Sequence, residues 1–285
     1  MARTKTYDPL ILTSKTIFLL RTQEAVSDGY RYYATGTVTL EKAKGLVRRF
    51  KELYSVHLDK NARFRRKAKG LGNARLVLRL NEEARVDFIL LVSPGEHPAH
   101  QLEKLKDVRT GPLAYRELEL VALTLKGRDK PGLTWRLDAA TMKAWKERLH
   151  LYTAHYNTFE LFRAWHSLYR TPGFGGVRRQ VGELVQFWRV EWRQHRRDDR
   201  CPMAFPHNDL EYRARPGITR KDGMYWTTKG FPTSNQLPKL FYVRKHADIG
   251  IRLSKATAED RVVVGSPNSQ IHEIHREVNE GVSAR

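Results

Sequence analysis

Two helical patterns and a glycine-rich turn occupy residues 157–200, which read NTFELFRAWHSLYRTPGFGGVRRQVGELVQFWRVEWRQHRRDDR. The first pattern places four aromatic residues on one helix face. These residues are Phe159, Phe162, Trp165 and Tyr169. The second pattern is an apolar stripe with spacings of four, three, four and four residues. It consists of Val177, Val181, Leu184, Trp188 and Trp192. The stretch therefore predicts a helical hairpin with a buried aromatic seam.

A ridge of arginines accompanies the second stripe. At about 100° per residue, its members fall within a sector roughly 60° wide beside the apolar face. They are Arg178, Arg189, Arg193 and Arg196, with Arg179 and Arg197 next to them in the chain. Such a ridge can lie against a phosphate backbone, although arginines on an exposed helix face are often only solvated. In a helix–turn–helix the second helix would enter a major groove, but this turn exceeds the usual three to four residues.

The charge of the whole chain favours the binding interpretation. Its 285 residues carry 52 Lys and Arg against 31 Asp and Glu, a net charge of +21, and both halves are basic. A hydrophobic fraction of 40% is sufficient for a packed core. A strong basic excess attracts polyanions, of which DNA and RNA are the commonest for a folded basic protein. A membrane partner would favour a basic amphipathic terminal helix or a lipidation signal, and the sequence shows neither.

Cysteine content and the first residues bear on the cellular compartment. The single cysteine, Cys201, excludes an internal disulfide and a cysteine-rich zinc site, which fits a reducing cytoplasm. Lys15 interrupts the apolar run of residues 10–20, which is shorter than the about 20 residues that span a bilayer. Because a small-residue cleavage site is also missing, residues 14–21 are interpreted as a buried strand and not as a signal peptide. We expect a cytoplasmic protein without a membrane partner.

Residues 60–75 form the densest basic run. It contains seven cations, which are Lys60, Arg63, Arg65, Arg66, Lys67, Lys69 and Arg75. Phe64 lies among them, and Gly70 and Gly72 follow. The run is either a loop or a helix end that leads into a strand, and the glycines would let backbone N–H groups approach a phosphate. A flexible solvated loop is the alternative. We interpret the run as a nucleic-acid contact.

The order of patterns predicts an α+β fold with a mixed or antiparallel sheet, of the ferredoxin-like or RRM-like kind. Predicted strands cover residues 30–39, 74–80, 86–92, 115–125 and 133–137, and predicted helices cover 40–54, 99–108 and 138–152. Residues 223–230 and 239–245 predict a short β-ribbon, which 249–253 extends and which carries Arg244 and Lys245. Two domains follow, 1–152 and 153–285, unless the second packs on the first as one unit.

Metal and cofactor signals are weak. His97 and His100 form an HxxH pair, as do His272 and His275, but a third ligand is not adjacent and Pro98 interrupts the first pair. The glycine turn of residues 173–176 has neither the spacing nor the preceding strand of a dinucleotide fingerprint. It either attracts an anion at the start of a helix or supplies the backbone angles of a plain turn. We expect no metal site and no cofactor.

Two further functions stay open beside nucleic-acid binding, in which we place DNA slightly ahead of RNA. One is a metal-independent endoribonuclease, because a histidine or lysine can activate a 2′-hydroxyl. Residues 173–176 resemble the glycine-rich loop of the Cas6 group of CRISPR RNA-processing enzymes, which are ferredoxin-like. That loop follows a strand near the C-terminus, whereas this one lies between helices. The other function is a structural subunit that docks an acidic protein. We expect a binding protein rather than an enzyme, and a nuclease if it is one.

Overall fold

The structure is a computed structural model that describes residues 7–124, 127, 129–197, 205–207, 225–227 and 250–257. The chain divides into two compact units. Unit 1 comprises Met1–Gly111 and His246–Arg285, and unit 2 comprises Pro112–Lys245. A six-stranded mixed sheet belongs to unit 1, and a three-stranded antiparallel sheet belongs to unit 2. The predicted α+β class is confirmed.

Helices and strands alternate without a simple repeat. The strands are β1 (Leu10–Leu12), β2 (Tyr32–Thr39), β3 (Ala74–Leu80), β4 (Arg85–Val92), β5 (Lys106–Asp107), β6 (Leu113–Tyr115), β7 (Leu118–Leu123), β8 (Gly132–Leu137), β9 (Phe205–His207), β10 (Tyr225–Thr227) and β11 (Gly250–Arg252). The helices are α1 (Lys15–Ser27), α2 (Leu40–Tyr54), α3 (Lys60–Ala68), α4 (Ala99–Leu102), α5 (Ala139–Ala154), α6 (Thr158–Leu168) and α7 (Gly175–Arg196). The predicted domain boundary after Tyr152 therefore falls inside α5.

The sheet of unit 1 has the strand order β11-β1-β3-β4-β2-β5. β1 and β3 are parallel, and the other neighbours are antiparallel. Alternate side chains of β4 point to opposite faces. Leu90 and Val92 pack in a cluster with Phe50 of α2, whereas Ile89 and Leu91 are buried on the other face. α1 contacts β3 and β4, so the sheet is covered on both faces.

The predicted strand over residues 14–21 is wrong, because this segment is the start of α1. Ser14 caps the helix, accepting a hydrogen bond from the backbone N–H of Ile17 at 3.4 Å. Four successive apolar residues, Ile17 to Leu20, are all buried, so the helix lacks the polar stripe that marks an amphipathic helix in a sequence. A short apolar run of this kind cannot be distinguished from a buried strand by periodicity.

Two other predicted elements are shorter than expected. The predicted helix over 99–108 ends at Leu102, and Glu103 adopts an extended conformation. The Glu103 carboxylate accepts a hydrogen bond from the Tyr54 hydroxyl at 2.6 Å, a tertiary contact that sequence spacing does not reveal. The predicted strand over 115–125 is a hairpin of β6 and β7, which turns at Arg116 with a φ of 53°.

The C-terminal ribbon differs in its pairing. β10 pairs with β9, with Tyr225 opposite His207. Residues 239–245 lie outside the described part of the chain. The prediction that 249–253 extends the ribbon is wrong, because β11 pairs antiparallel with β1 in unit 1, with Ile251 opposite Ile11. Short strands with little alternation carry few clues to their partners.

Unit 2 packs three helices with the sheet β6-β7-β8. The predicted stripe of α7 is confirmed, since all five of its members are buried. The predicted face of α6 is partly wrong: Phe159 is 67% exposed, and the buried stripe consists of Leu161, Ala164, Trp165 and Leu168. Trp188 donates a hydrogen bond from Nε1 to Thr153 Oγ1 at 2.9 Å, which joins α7 to α5.

The start of α7 is fixed to strand β8. Gly176 donates its backbone N–H to Thr134 Oγ1 at 3.1 Å. Gln180 bonds twice to the backbone of Leu137, accepting from its N–H at 2.7 Å and donating to its carbonyl at 2.8 Å. A Cβ at position 176 would lie 2.5 Å from the Trp135 carbonyl oxygen, so only glycine permits this approach. Among the described residues, no helix has the length and apolar character needed to cross a membrane.

Candidate nucleic-acid interface

The basic run of residues 60–75 begins as helix α3. Asp59 caps it, accepting a hydrogen bond from the backbone N–H of Ala62 at 2.7 Å. The helix sequence, KNARFRRKA, contains no acidic residue. Each of its nine residues keeps part of its surface in solvent. A helix without a buried face is unusual for a packed unit, and its charge is available to a partner.

The exposed groups of α3 combine cations with an aromatic ring. Phe64 is 72% exposed, the largest value among the exposed large hydrophobic residues of the described chain. The cations that are exposed around it are Lys60, Arg65, Lys67 and Lys69. Cationic side chains neutralise phosphates, and an exposed ring provides a face on which a base can stack. Both chemistries of a single-strand contact are therefore present on this helix.

The Arg66 side chain and the backbone of Arg63 hold the helix in place. Arg66 donates to the Gly72 carbonyl from Nε at 3.3 Å and from a terminal guanidinium nitrogen at 3.1 Å. The carbonyl of Arg63 accepts a hydrogen bond from the Asn73 side chain at 3.1 Å. These bonds fix the C-terminal half of α3 against the loop that leads to β3. The exposed cations therefore project from an anchored helix. The segment is not the loop that the alternative interpretation predicted.

Glycines let the loops beside α3 pack closely. Gly95 has a φ of 110°, and a Cβ there would lie 2.5 Å from the Gly70 carbonyl oxygen. A Cβ at Gly72 would lie 2.8 Å from the Cβ of His97. The backbone N–H of Gly72 donates to the Glu96 carbonyl at 2.9 Å. The glycines of the basic run thus serve loop packing in this structure.

Arg75 lies apart from the exposed cations. Its guanidinium donates to the Asp28 carboxylate at 2.7 Å and lies 4.6 Å from the centre of the Tyr30 ring. Asp28 is the residue that ends α1. Arg75 therefore connects β3 to the end of α1, and we separate it from the surface of α3.

The arginine ridge of α7 divides into two groups. Arg178 is half-buried and donates from Nε to the Gly173 carbonyl at 3.0 Å, and burial lowers the pKa of its guanidinium. Arg196 donates to the carbonyls of Thr153 and Ala154, both at 2.9 Å, and stacks on a tyrosine ring. These two arginines satisfy backbone carbonyls of their own unit, a use that helical spacing cannot reveal.

The other ridge residues differ in their exposure. Arg179 is exposed and pairs with Glu183 at 3.2 Å. Arg193 and Arg197 are exposed, and Arg189 is half-buried. Arg197 ends α7 in the left-handed conformation with a φ of 51°. Arg244 and Lys245, the predicted contacts of the ribbon, lie outside the described residues.

The first HxxH pair serves the fold. His97 is 4% exposed; its Nε2 faces the Tyr54 carbonyl at 3.3 Å, and its Nδ1 accepts from the Ala99 N–H at 3.2 Å. This pattern requires a neutral ring with the proton on Nε2. Burial lowers the pKa of His97, and the nearby charge of Arg66 acts in the same direction. His272 and His275 lie outside the described residues.

One constellation of ionisable groups escaped the sequence interpretation. His150 of α5 approaches Glu191 and His195 of α7, and the ligating atoms of all three lie within 4.8 Å of one another. Glu191 and His195 are four residues apart, and this spacing in the sequence already indicated that they share one helix face. The contribution of His150 depends on how α5 packs against α7, which the sequence does not state.

The chain was also compared with known proteins. No protein-family model, curated protein or solved structure that was compared with the chain matches it.

Proposed function

We propose that the protein binds nucleic acid, with DNA slightly favoured over RNA, through the exposed surface of α3. The observation that carries this proposal is the anchored helix with four exposed cations around a ring that is 72% exposed. The cations would contact phosphates, and Phe64 would stack on an unpaired base. The net charge of +21 supports attraction over a longer range.

The expected salt dependence follows from the number of exposed cations, of which three lie on α3 and the fourth, Lys69, directly follows it. Four phosphate contacts predict a slope of log affinity against log salt of about −3.6 for a duplex and about −2.8 for a single strand. Between 50 and 200 mM salt, affinity should therefore fall roughly 50- to 150-fold. Contacts from Arg189, Arg193 or Arg197 would steepen the slope further. Fluorescence anisotropy with labelled single-stranded DNA, duplex DNA and an RNA hairpin measures both quantities.

The first test removes charge from α3. The variant K60Q/R65Q/K67Q should lower the salt slope by about two to three, because each lost contact removes about 0.7 to 0.9. The helix should still form, because glutamine is a good helix former and all three side chains are exposed. Circular dichroism checks that the fold is retained.

A matched control removes the same charge from α5. K143Q/K146Q/R148Q replaces three exposed cations of the same types in unit 2. If binding depends on α3, this control keeps most of the affinity. Equal losses in both variants would mean that only net charge matters, and the proposed surface would be wrong. Failure of every probe to bind at 150 mM salt would instead favour an acidic protein partner.

A second variant isolates the stacking contribution. Replacing Phe64 with leucine keeps an apolar side chain but removes the aromatic face, so affinity for single-stranded DNA should fall by about 1–3 kcal/mol. Phe64→Trp should preserve it. Duplex affinity should change little in either variant, because paired bases are not free to stack on the ring. Equal effects on both forms of DNA would refute the stacking role.

A further inference from the structure

A three-residue cluster in unit 2 has the composition of a metal site. His150 Nδ1 lies 2.6 Å from Glu191 Oε2, and His195 Nε2 lies 3.5 Å from the same oxygen. The two imidazole rings are 5.4 Å apart and inclined at 68°. Both rings thus direct a nitrogen at one carboxylate oxygen, and each of the three groups offers one ligating atom.

The neighbouring structure holds these groups in position. Glu191 and His195 lie one turn apart on α7, so their separation is set by the helix. Trp188, one turn earlier, bonds to Thr153 of α5, which follows His150 by three residues. The Glu191 side chain is only 13% exposed, whereas those of His150 and His195 are 54% and 33% exposed. The cluster therefore has a largely covered carboxylate and an open side formed by imidazoles.

We propose that His150, Glu191 and His195 bind a divalent ion of the zinc class, with a fourth position open to water or another oxygen ligand. Two imidazoles and one carboxylate are ligands that zinc accepts, and three protein ligands with an open position are typical of non-structural zinc sites. Donor atoms around a tetrahedral zinc are about 3.3 Å apart, because the bonds are about 2.0–2.1 Å long. The separations of 2.6 and 3.5 Å bracket this value, and the two imidazole nitrogens lie within 4.8 Å of each other, so side-chain rotations that bring the rings together create the site.

Metal binding requires a change of tautomer at His150. Without metal, the short contact between His150 Nδ1 and Glu191 is a hydrogen bond in which Nδ1 carries the imidazole proton. When the ion takes the Nδ1 lone pair and the carboxylate charge, the ring exchanges this proton through solvent so that Nε2 carries it, and the imidazole stays neutral. Neither the metal nor the protein changes oxidation state.

The test uses the full chain after chelation and removal of the chelator. Zinc is added in isothermal titration, and cobalt replaces it to give visible absorption bands that report an imidazole and oxygen environment. One ion per chain should bind. Because loss of a ligand's own hydrogen-bond partner already weakens metal affinity about 10- to 100-fold, H150Q, E191Q and H195Q should each weaken it at least tenfold.

Two controls separate this cluster from other histidines. H155Q makes the same substitution at an exposed histidine five residues further along, just after α5, and H272Q/H275Q removes the second HxxH pair. Both should bind zinc and cobalt as the unaltered chain does. Retention of one tight ion in H150Q and H195Q would overturn the proposal, as would the absence of any ion with an affinity in the micromolar range. His150 is exposed, so H150Q tests the site even if E191Q unfolds.

Discussion

Replacement of Gly176 with alanine should destabilise unit 2, although alanine favours helices in general. The new methyl carbon would lie 2.5 Å from the Trp135 carbonyl oxygen and 3.0 Å from the Cβ of Arg136. A carbon and an oxygen approach no closer than about 3.3 Å, so α7 and β8 must separate by roughly 0.8 Å. That movement strains the hydrogen bond from Gly176 to Thr134, which is already 3.1 Å long.

The expected magnitude combines overpacking with this weakened bond. Overpacking costs about 1–3 kcal/mol, and a lost hydrogen bond costs about 0.5–1.5 kcal/mol. The helix preference of alanine offsets about 0.5 kcal/mol, so the free energy of unfolding should fall by about 1–4 kcal/mol. Gly182 is the matched control. Among the described residues, no atom lies within 4 Å of a Cβ placed there, and Gly182→Ala should stabilise α7 by about 0.5–1 kcal/mol.

Urea unfolding followed by tryptophan fluorescence measures both changes. All six tryptophans of the chain fall within Pro112–Lys245, so the signal reports unit 2. With an m-value of about 2 kcal/mol per molar, Gly176→Ala should lower the midpoint by about 0.5–2 M, and Gly182→Ala should raise it slightly. A midpoint for Gly176→Ala at or above that of the unaltered chain would refute the argument from close packing.

Three other predictions concern groups outside the proposed interface. Asp87→Ala should cost about 3–5 kcal/mol in urea unfolding. It removes the carboxylate 3.7 Å from the buried Arg79 guanidinium, which also pairs with Glu82, and it removes the acceptor of the Thr37 and Asn81 side chains. A loss below about 1 kcal/mol would show that Glu82 is sufficient for Arg79. Gln180→Ala should lower the free energy of unfolding by about 1–3 kcal/mol, because both backbone groups of Leu137 lose their partner. Gln180→Glu should retain only the bond that its side chain accepts, so its stability should lie between those of the unaltered chain and Gln180→Ala. Burial and a hydrogen bond to a carboxylate raise the pKa of Tyr54 from 10.0 to about 12. The unfolded chain therefore loses this proton first, and the free energy of unfolding should fall as pH rises from about 10 to about 12. This fall should be smaller in Tyr54→Phe, and an equal fall in that variant would exclude Tyr54 as its source.

Local signals allowed much of unit 1 to be predicted. The limits of α2 follow from the Thr39 cap and from apolar residues at helical spacing, and both appear in the structure. β3 and β4 were predicted because a turn at Asn81 separates two strongly apolar strands, and they pair as a hairpin. In these segments the local sequence and the tertiary packing favour the same conformation, so short-range patterns were sufficient.

The failures share one physical cause, since tertiary contacts override or replace local patterns there. α1 is covered around most of its circumference, which removes the amphipathic signal. α3 has no apolar stripe, and Arg66 and the loop beside it hold its C-terminal half in place. The use of Arg178 and Arg196 on carbonyls, and the approach of His150 to Glu191, depend on helix packing that no single segment encodes.

Because β11 pairs with β1, the sheet of unit 1 is completed only late in the synthesis of the chain. Leu10 pairs opposite Arg252, so the sheet cannot be completed until the ribosome has made residue 252. Until then β1 is the outer strand, and one row of its backbone hydrogen-bonding groups is open to another chain. All of unit 2 is translated during that interval. A message truncated before codon 250 would therefore leave β1 as a permanently open sheet edge, and it would also remove Leu253 and Ala256 from the core cluster that contains Ile11. Both losses should increase the tendency of the product to aggregate.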